Sequence, residues 1–140
     1  MKKLEFFIVV LIVFVLSWIT WSQFDLAEKK SRDVERKSSL HELSKVIRLY
    51  YADYGKLPEE KLINGLWGKE WKDGDYIYMK QVPKENYIDD QYCYKQYDKQ
   101  TFALLTNLEN KKDVDCFGKS FDCDGKKYCY ENKMSAVISN

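Results

Sequence analysis

Residues 5–24 read EFFIVVLIVFVLSWITWSQF, from Glu5 to Phe24. No charge follows Glu5 before Asp25, and Ser17 and Thr20 are the only polar residues between Phe6 and Trp21. At about 1.5 Å per residue, a helix over residues 6–24 is roughly 28 Å long, close to the thickness of a bilayer's hydrocarbon core. Trp18, Trp21 and Phe24 crowd its far end, as aromatic residues do at a membrane interface. Lys2 and Lys3 precede it, as they would in a secretory signal. The apolar run is too long for a signal core, however, and no small-x-small cleavage site occurs at Ser22-Gln23-Phe24-Asp25-Leu26. The stretch therefore reads as an anchor that stays on the protein.

The helix is expected to continue well past the apolar run. No glycine or proline occurs before Gly55 and Pro58, and a run of that length without a breaker predicts one continuous helix. Its expected end is Tyr54-Gly55-Lys56-Leu57-Pro58, a terminal glycine followed by a proline. Beyond the apolar run, Leu40, Leu43, Ile47, Tyr50 and Tyr54 recur at steps of three and four, and Val46 widens the stripe. This is the pattern of a helix face packed on its own domain. Arg36, Lys37, Glu42, Lys45 and Arg48 are read as occupying the other faces. His41, the only histidine, has no cysteine or carboxylate cluster at ligand spacing and reads as a surface residue. The chain thus divides into a hydrophobic helix (1–24), an amphipathic stalk (25–54) and a small globular domain (55–140). The fold class is α+β, with the long helix packed against a small antiparallel sheet.

A chain of 140 residues has room for one modest domain. Its net charge of +1 gives no reason to expect nucleic-acid binding. The mean hydropathy of −0.55 hides an asymmetry, because nearly all the strongly apolar sequence precedes Phe24. Residues 57–92 are loop-rich, punctuated by Gly65, Gly68, Gly74 and Pro83, with a short strand expected at 75–79. Trp67, Trp71, Tyr76, Tyr78 and Tyr87 supply bulk for packing. Residues 92–97 and 101–108, joined by a turn at Asp98-Lys99, read as an antiparallel hairpin.

The four cysteines, Cys93, Cys116, Cys123 and Cys129, all lie in the globular part. An even number beyond an anchor fits disulfides in an oxidising compartment, and the spacings are poor for zinc. Three connectivities are open. One bridge closing the tail loop is favoured, Cys116 to Cys129 or Cys123 to Cys129, with Cys93 taking the remaining partner. Disulfides also settle orientation. Lys2 and Lys3 favour an N-terminus inside, Lys29, Lys30 and Arg32 oppose it, and the cysteines require the globular part outside the cytoplasm. Asp113, Asp115, Asp122 and Asp124 are a weak calcium candidate. They lack EF-hand spacing and read first as solvated loop acids. No nucleophile elbow, phosphate loop or metal-ligand motif points to an enzyme.

Three stretches together resemble the type IV pilin superfamily, most closely the major pseudopilins of type II secretion systems. They are Glu5 followed by FFIVVLIVFVL, then SRDVERKSSL at 31–40, then LYYADYGKLP at 49–58. The likeness is strong up to Pro58 and looser beyond, where FALLTNLENKKD at 102–113 looks like that family's last strand and exit. From the residue alone, Glu5 reads as an interfacial acid beside Lys2 and Lys3. The resemblance implies instead that it enters the membrane and pairs with the free amine of a neighbouring copy's first residue, here Met1. That family's precursors carry a leader ending in glycine, and none precedes Glu5. Met1 stands where the processed chain would begin.

The resemblance further implies a structural subunit that partners with copies of itself in a helical filament; no large or lid-like insertion marks a minor, tip-located subunit, which favours a major one. The resemblance implies an assembly platform protein, an assembly ATPase and a prepilin peptidase, with the inner or cytoplasmic membrane as the site before assembly. It also raises the prospect of calcium in the C-terminal loop. The competing expectation is a monomeric, single-pass, membrane-tethered module that binds an extracytoplasmic partner.

Overall fold

The computed structural model describes residues 2–137, without the side chains of Lys2 and of residues 19–23. Helix α1, Lys2–Tyr54, is unbroken. It stops where Gly55 enters the left-handed region (φ +67°), and the Gly55 N–H closes on the carbonyl of Tyr51 at 2.8 Å. A side chain at that position would be strained, which is why glycine ends the helix. A single turn, α2 (Glu60–Asn64), follows. Seven short strands come next: β1 (Trp71–Asp73), β2 (Tyr76–Met79), β3 (Cys93–Gln96), β4 (Thr101–Thr106), β5 (Phe121–Cys123), β6 (Lys126–Tyr128) and β7 (Tyr130–Ser135). The fold is α+β, with the long helix packed against small antiparallel sheets.

The single expected sheet is divided in three. Strands β3, β4 and β7 form one antiparallel sheet in the order β3-β4-β7, while β1-β2 and β5-β6 are separate hairpins. The expected hairpin at 92–108 is β3 and β4, with Cys93 opposite Leu105 and Gln96 opposite Phe102. Its turn is organised by Asp98, whose Oδ1 accepts the N–H groups of Gln100 (2.8 Å) and Thr101 (2.7 Å).

Strand β4 is central rather than last. Its other edge is taken by β7, with Thr101 opposite Ser135 and Thr106 opposite Tyr130. The sequence YENKMS of β7 shows little apolar alternation because β7 is an edge strand, held mainly by its backbone ladder.

The position of β4 explains its apolar run. Phe102 and Leu104 face α1, in a core with Leu40, Leu43, Ile47, Ile63, Trp71, Val82 and Tyr94. Ala103 and Leu105 face the other way, against Cys93, Cys123 and Tyr128. A strand buried on both faces shows no polar alternation. The predicted stripe of α1 is thus confirmed at Leu40, Leu43 and Ile47, each fully buried. It opens to solvent at Tyr54, which lies on an aromatic stack with Tyr50, Trp71 and Tyr78.

Candidate assembly site

The N-terminal part of α1 stands open to its surroundings. Every described side chain from Lys3 to Trp18 is exposed, Glu5 among them. Leu4, Phe7 and Phe14 each leave about two thirds of their surface open. Because the apolar residues go all round the helix, no rotation would hide them against a single domain. Ser17 satisfies its hydroxyl on the carbonyl of Val13 (2.8 Å), so it presents no unpaired donor. Among the described residues no helix is long and apolar enough to cross a membrane. The side chains at 19–23, the end of the expected span, lie outside that description. Met1, the expected partner of Glu5 in a neighbouring copy, also lies outside the described residues.

Where α1 meets the globular part, the apolar stripe turns into a buried charge cluster. Arg36 precedes Leu40 by four residues and so lies on the packed face, not on an outer one as its charge suggests. It is 2% exposed. Its guanidinium grips Glu85 with two bonds, Nε to Oε2 at 2.7 Å and Nη2 to Oε1 at 3.1 Å. It also donates to Asp33 Oδ1 and Glu109 Oε1, both at 2.7 Å. Asp33 in turn accepts the backbone N–H groups of Glu109 (2.9 Å) and Asn110 (2.8 Å). Arg32 forks onto Glu109 at 2.9 and 2.7 Å. The Tyr87 ring lies over both guanidinium groups, at 5.3 Å from Arg32 and 5.7 Å from Arg36. Two planar forks bind two carboxylates, and the remaining lone pairs take backbone donors. That degree of satisfaction is what a buried ionic group requires.

The charges tune one another. Hydrogen bonds from Arg32, aided by Arg36, hold the Glu109 carboxyl at about 2 against the upward push of burial. Burial also pushes Glu85 upward, but hydrogen bonds from Arg36 and from the Tyr87 N–H outweigh it, leaving that carboxyl below its ordinary range. Glu85 and Glu109 therefore stay ionised at neutral pH. The cluster joins the stalk to two separate loops, one carrying Glu85 and the other Glu109 and Asn110. Sequence reading missed this role for Arg32, Asp33 and Arg36. The available signal was periodicity, since Arg36 continues the three-four stepping of the stripe by one turn.

The two bridges are Cys93–Cys123 and Cys116–Cys129, which is the first of the two favoured pairings. The former ties β3 to β5, and the latter staples the loop after β4 to the start of β7. The four acids of the calcium candidate do not converge. Asp113 and Asp115 both accept the Lys37 ammonium, at 2.9 and 2.7 Å. The N–H of Asp115, and then Lys37, lower the Asp113 carboxyl below its ordinary range. Asp122 lies 3.3 Å from Lys127.

Asp124 is a turn residue with φ +51°, followed by Gly125 at +78°. Two successive positive φ values make the tight turn between β5 and β6, and Asp-Gly is a pair that tolerates them. Among the described residues the only ligand-type cluster is Cys93, Cys123 and Asp124. Its two sulfurs are already bonded to each other. His41 is exposed on the stalk, as expected.

The chain matches no model of a known family, no curated protein and no solved structure. The site consists of an exposed apolar rod carrying one acid, joined by an ionic cluster to a disulfide-bearing head.

Proposed function

We propose that this protein is the structural subunit of a type IV pilus-like or type II secretion pseudopilus filament, with a pilin-like fold, assembling through its N-terminal helix. The observation that carries this reading is the uncovered apolar part of α1. Its side chains from Leu4 to Leu16 are exposed around the helix. Exposure to water costs about 1.5–3 kcal/mol for each large apolar side chain left unburied. Lipid removes that cost, and so does a bundle of identical helices. Transfer between the two is nearly neutral in hydrophobic terms and is decided by packing and polar pairing. Glu5 supplies the polar term, because an acid within an apolar helix is stabilised by a positive partner. In this reading the partner is the amine of Met1 on the neighbouring copy.

The role is structural rather than catalytic. Before assembly the chain passes once through the inner or cytoplasmic membrane with its N-terminus on the cytoplasmic side, and the head stands outside, where disulfides persist. Assembly ATPase, platform protein and prepilin peptidase are the accessory factors this reading calls for.

The test is mass spectrometry of the protein's N-terminus, from sheared surface material and from membranes, with Glu5→Ala in parallel. A filament subunit is recovered from sheared material with a processed amine at Met1, and Glu5→Ala leaves it in the membrane. Recovery from membranes alone, unaffected by Glu5→Ala, supports the monomeric tethered module instead.

A further inference from the structure

Among the described residues outside α1, the two most exposed large apolar side chains are Val114, 82% open, and Phe117, 73% open. They share one short loop, and that loop is fastened at several points. Cys116 between them is bonded to Cys129. The N–H groups of Cys116 and Phe117 both close on the Asp113 carbonyl, at 3.0 and 2.8 Å. Asp113 and Asp115 clamp the loop to Lys37 of the stalk. Lys111, Lys112 and Lys119 flank the pair along the chain, all exposed. The result is a preformed apolar knob with a basic rim.

The stalk also borders a groove of about 320 Å³, between α1 and the segment of residues 79–87. Its walls include Glu35, Ser39, Glu42, Val82, Pro83 and Lys84. Arg32 and Arg36 also line it, but their charge is spent within the ionic cluster. Glu35 and Glu42, both exposed, are two carboxylates on its walls; among the described residues the other charge there outside the ionic cluster is Lys84.

Knob and groove cannot meet within one copy. The knob is fastened at Lys37, while Glu35 and Ser39 each stand two residues from it. Residues two apart on an α-helix point about 160° apart. The stalk therefore separates the two features, and both lie at nearly the same level along it.

We propose that the Val114–Phe117 knob of one copy docks into the groove between α1 and residues 79–87 of a neighbouring copy. Lys111, Lys112 and Lys119 then face Glu35 and Glu42. The inference rests on the filament reading and names a contact between its subunits. The occupant follows from complementarity: an apolar knob rimmed by lysines matches a groove with an acidic wall, on opposite flanks of the same chain. Such a contact is heterologous. Each copy keeps a free knob on one side and a free groove on the other, so the contact propagates rather than closing as a dimer. Because the loop is already stapled, little ordering opposes docking.

The test places p-benzoylphenylalanine, a photo-cross-linking aromatic, at position 117 of the full chain in cells that make the protein. A control carries it at the exposed Tyr76. Adducts are mapped by mass spectrometry. The expected result is a covalent ladder of this chain from position 117, with adducts within residues 35–42 and 79–87. Glu35→Lys with Glu42→Lys lowers the cross-link yield about tenfold, and Lys112→Glu with Lys119→Glu in the same chain restores part of it. Filaments that form with position 117 adducts elsewhere, or with none, overturn the docking and leave the filament reading standing. No multimer from either position, together with protein confined to membranes, overturns both.

Discussion

The two parts of α1 belong to one helix and behave as two different materials. Near its start Phe14 is 71% exposed; near its end Leu43 is fully buried. The more hydrophobic part is thus the uncovered one. Hydrophobicity sets how much is gained by leaving water, whereas geometry decides whether the chain can achieve that by itself. An apolar stripe of three-four spacing fits against one sheet face. An apolar cylinder fits only a surrounding medium, lipid or other helices. The boundary between the two regimes is marked by charge, where Arg32, Asp33 and Arg36 replace apolar residues on the packed face.

That contrast can be broken most forcefully at its boundary. Arg36→Met removes the guanidinium shared by Asp33, Glu85 and Glu109, leaving buried carboxylates uncompensated. The expected loss is about 3–5 kcal/mol, read by urea unfolding of the full chain in detergent. If stability were unchanged or increased, the cluster would not be what holds the head to the stalk. Leu43→Ala is expected to cost about 2–5 kcal/mol in the same measurement, because its site is enclosed on every side. Replacing Cys116 and Cys129 together by serine opens a loop of sequence separation 13. This is expected to cost about 2–4 kcal/mol, without altering the helix content seen by circular dichroism.

Acid probes the same boundary more gently. Glu109 titrates at about 2 in the folded protein, against an ordinary 4.5. A depressed carboxyl stabilises the fold fully above its unfolded value and ceases to do so as pH falls through its folded value. Stability should therefore decline between about pH 4.5 and pH 2, and Glu109→Gln should flatten that decline. An acid limb that is identical in Glu109→Gln would show that another carboxylate governs it. The smallest effect is expected at the other end of the comparison. Leu11→Ala should change unfolding of the head by less than about 0.5 kcal/mol, since Leu11 touches nothing there. A larger change would mean that the uncovered part of the helix is coupled to the head after all.

Much of the architecture was legible in advance because its signals are local. The absence of breakers up to Gly55 defined α1, and the stepping of Leu40, Leu43 and Ile47 marked its packed face. The turn residue Asp98 placed the β3–β4 hairpin. What escaped were features whose cause lies far along the chain. Strand β7 has an unremarkable sequence and exists because β4 offers it a free edge. Arg36 looked solvated because its partners lie 49 and 73 residues away. The four tail aspartates looked like one cluster, but two were drawn to Lys37 and one to a turn.

The sequence by itself determined a long helix with an apolar cylinder at one end and a stripe at the other, along with an even set of cysteines in the head. Local spacing and the backbone preferences of glycine and proline suffice for that. The tertiary structure alone decided which cysteines pair and which strand occupies the sheet's centre. It also decided which charges are buried. Those outcomes depend on bringing distant residues within a few ångströms, where a carboxylate and a guanidinium leave water only if each finds the other.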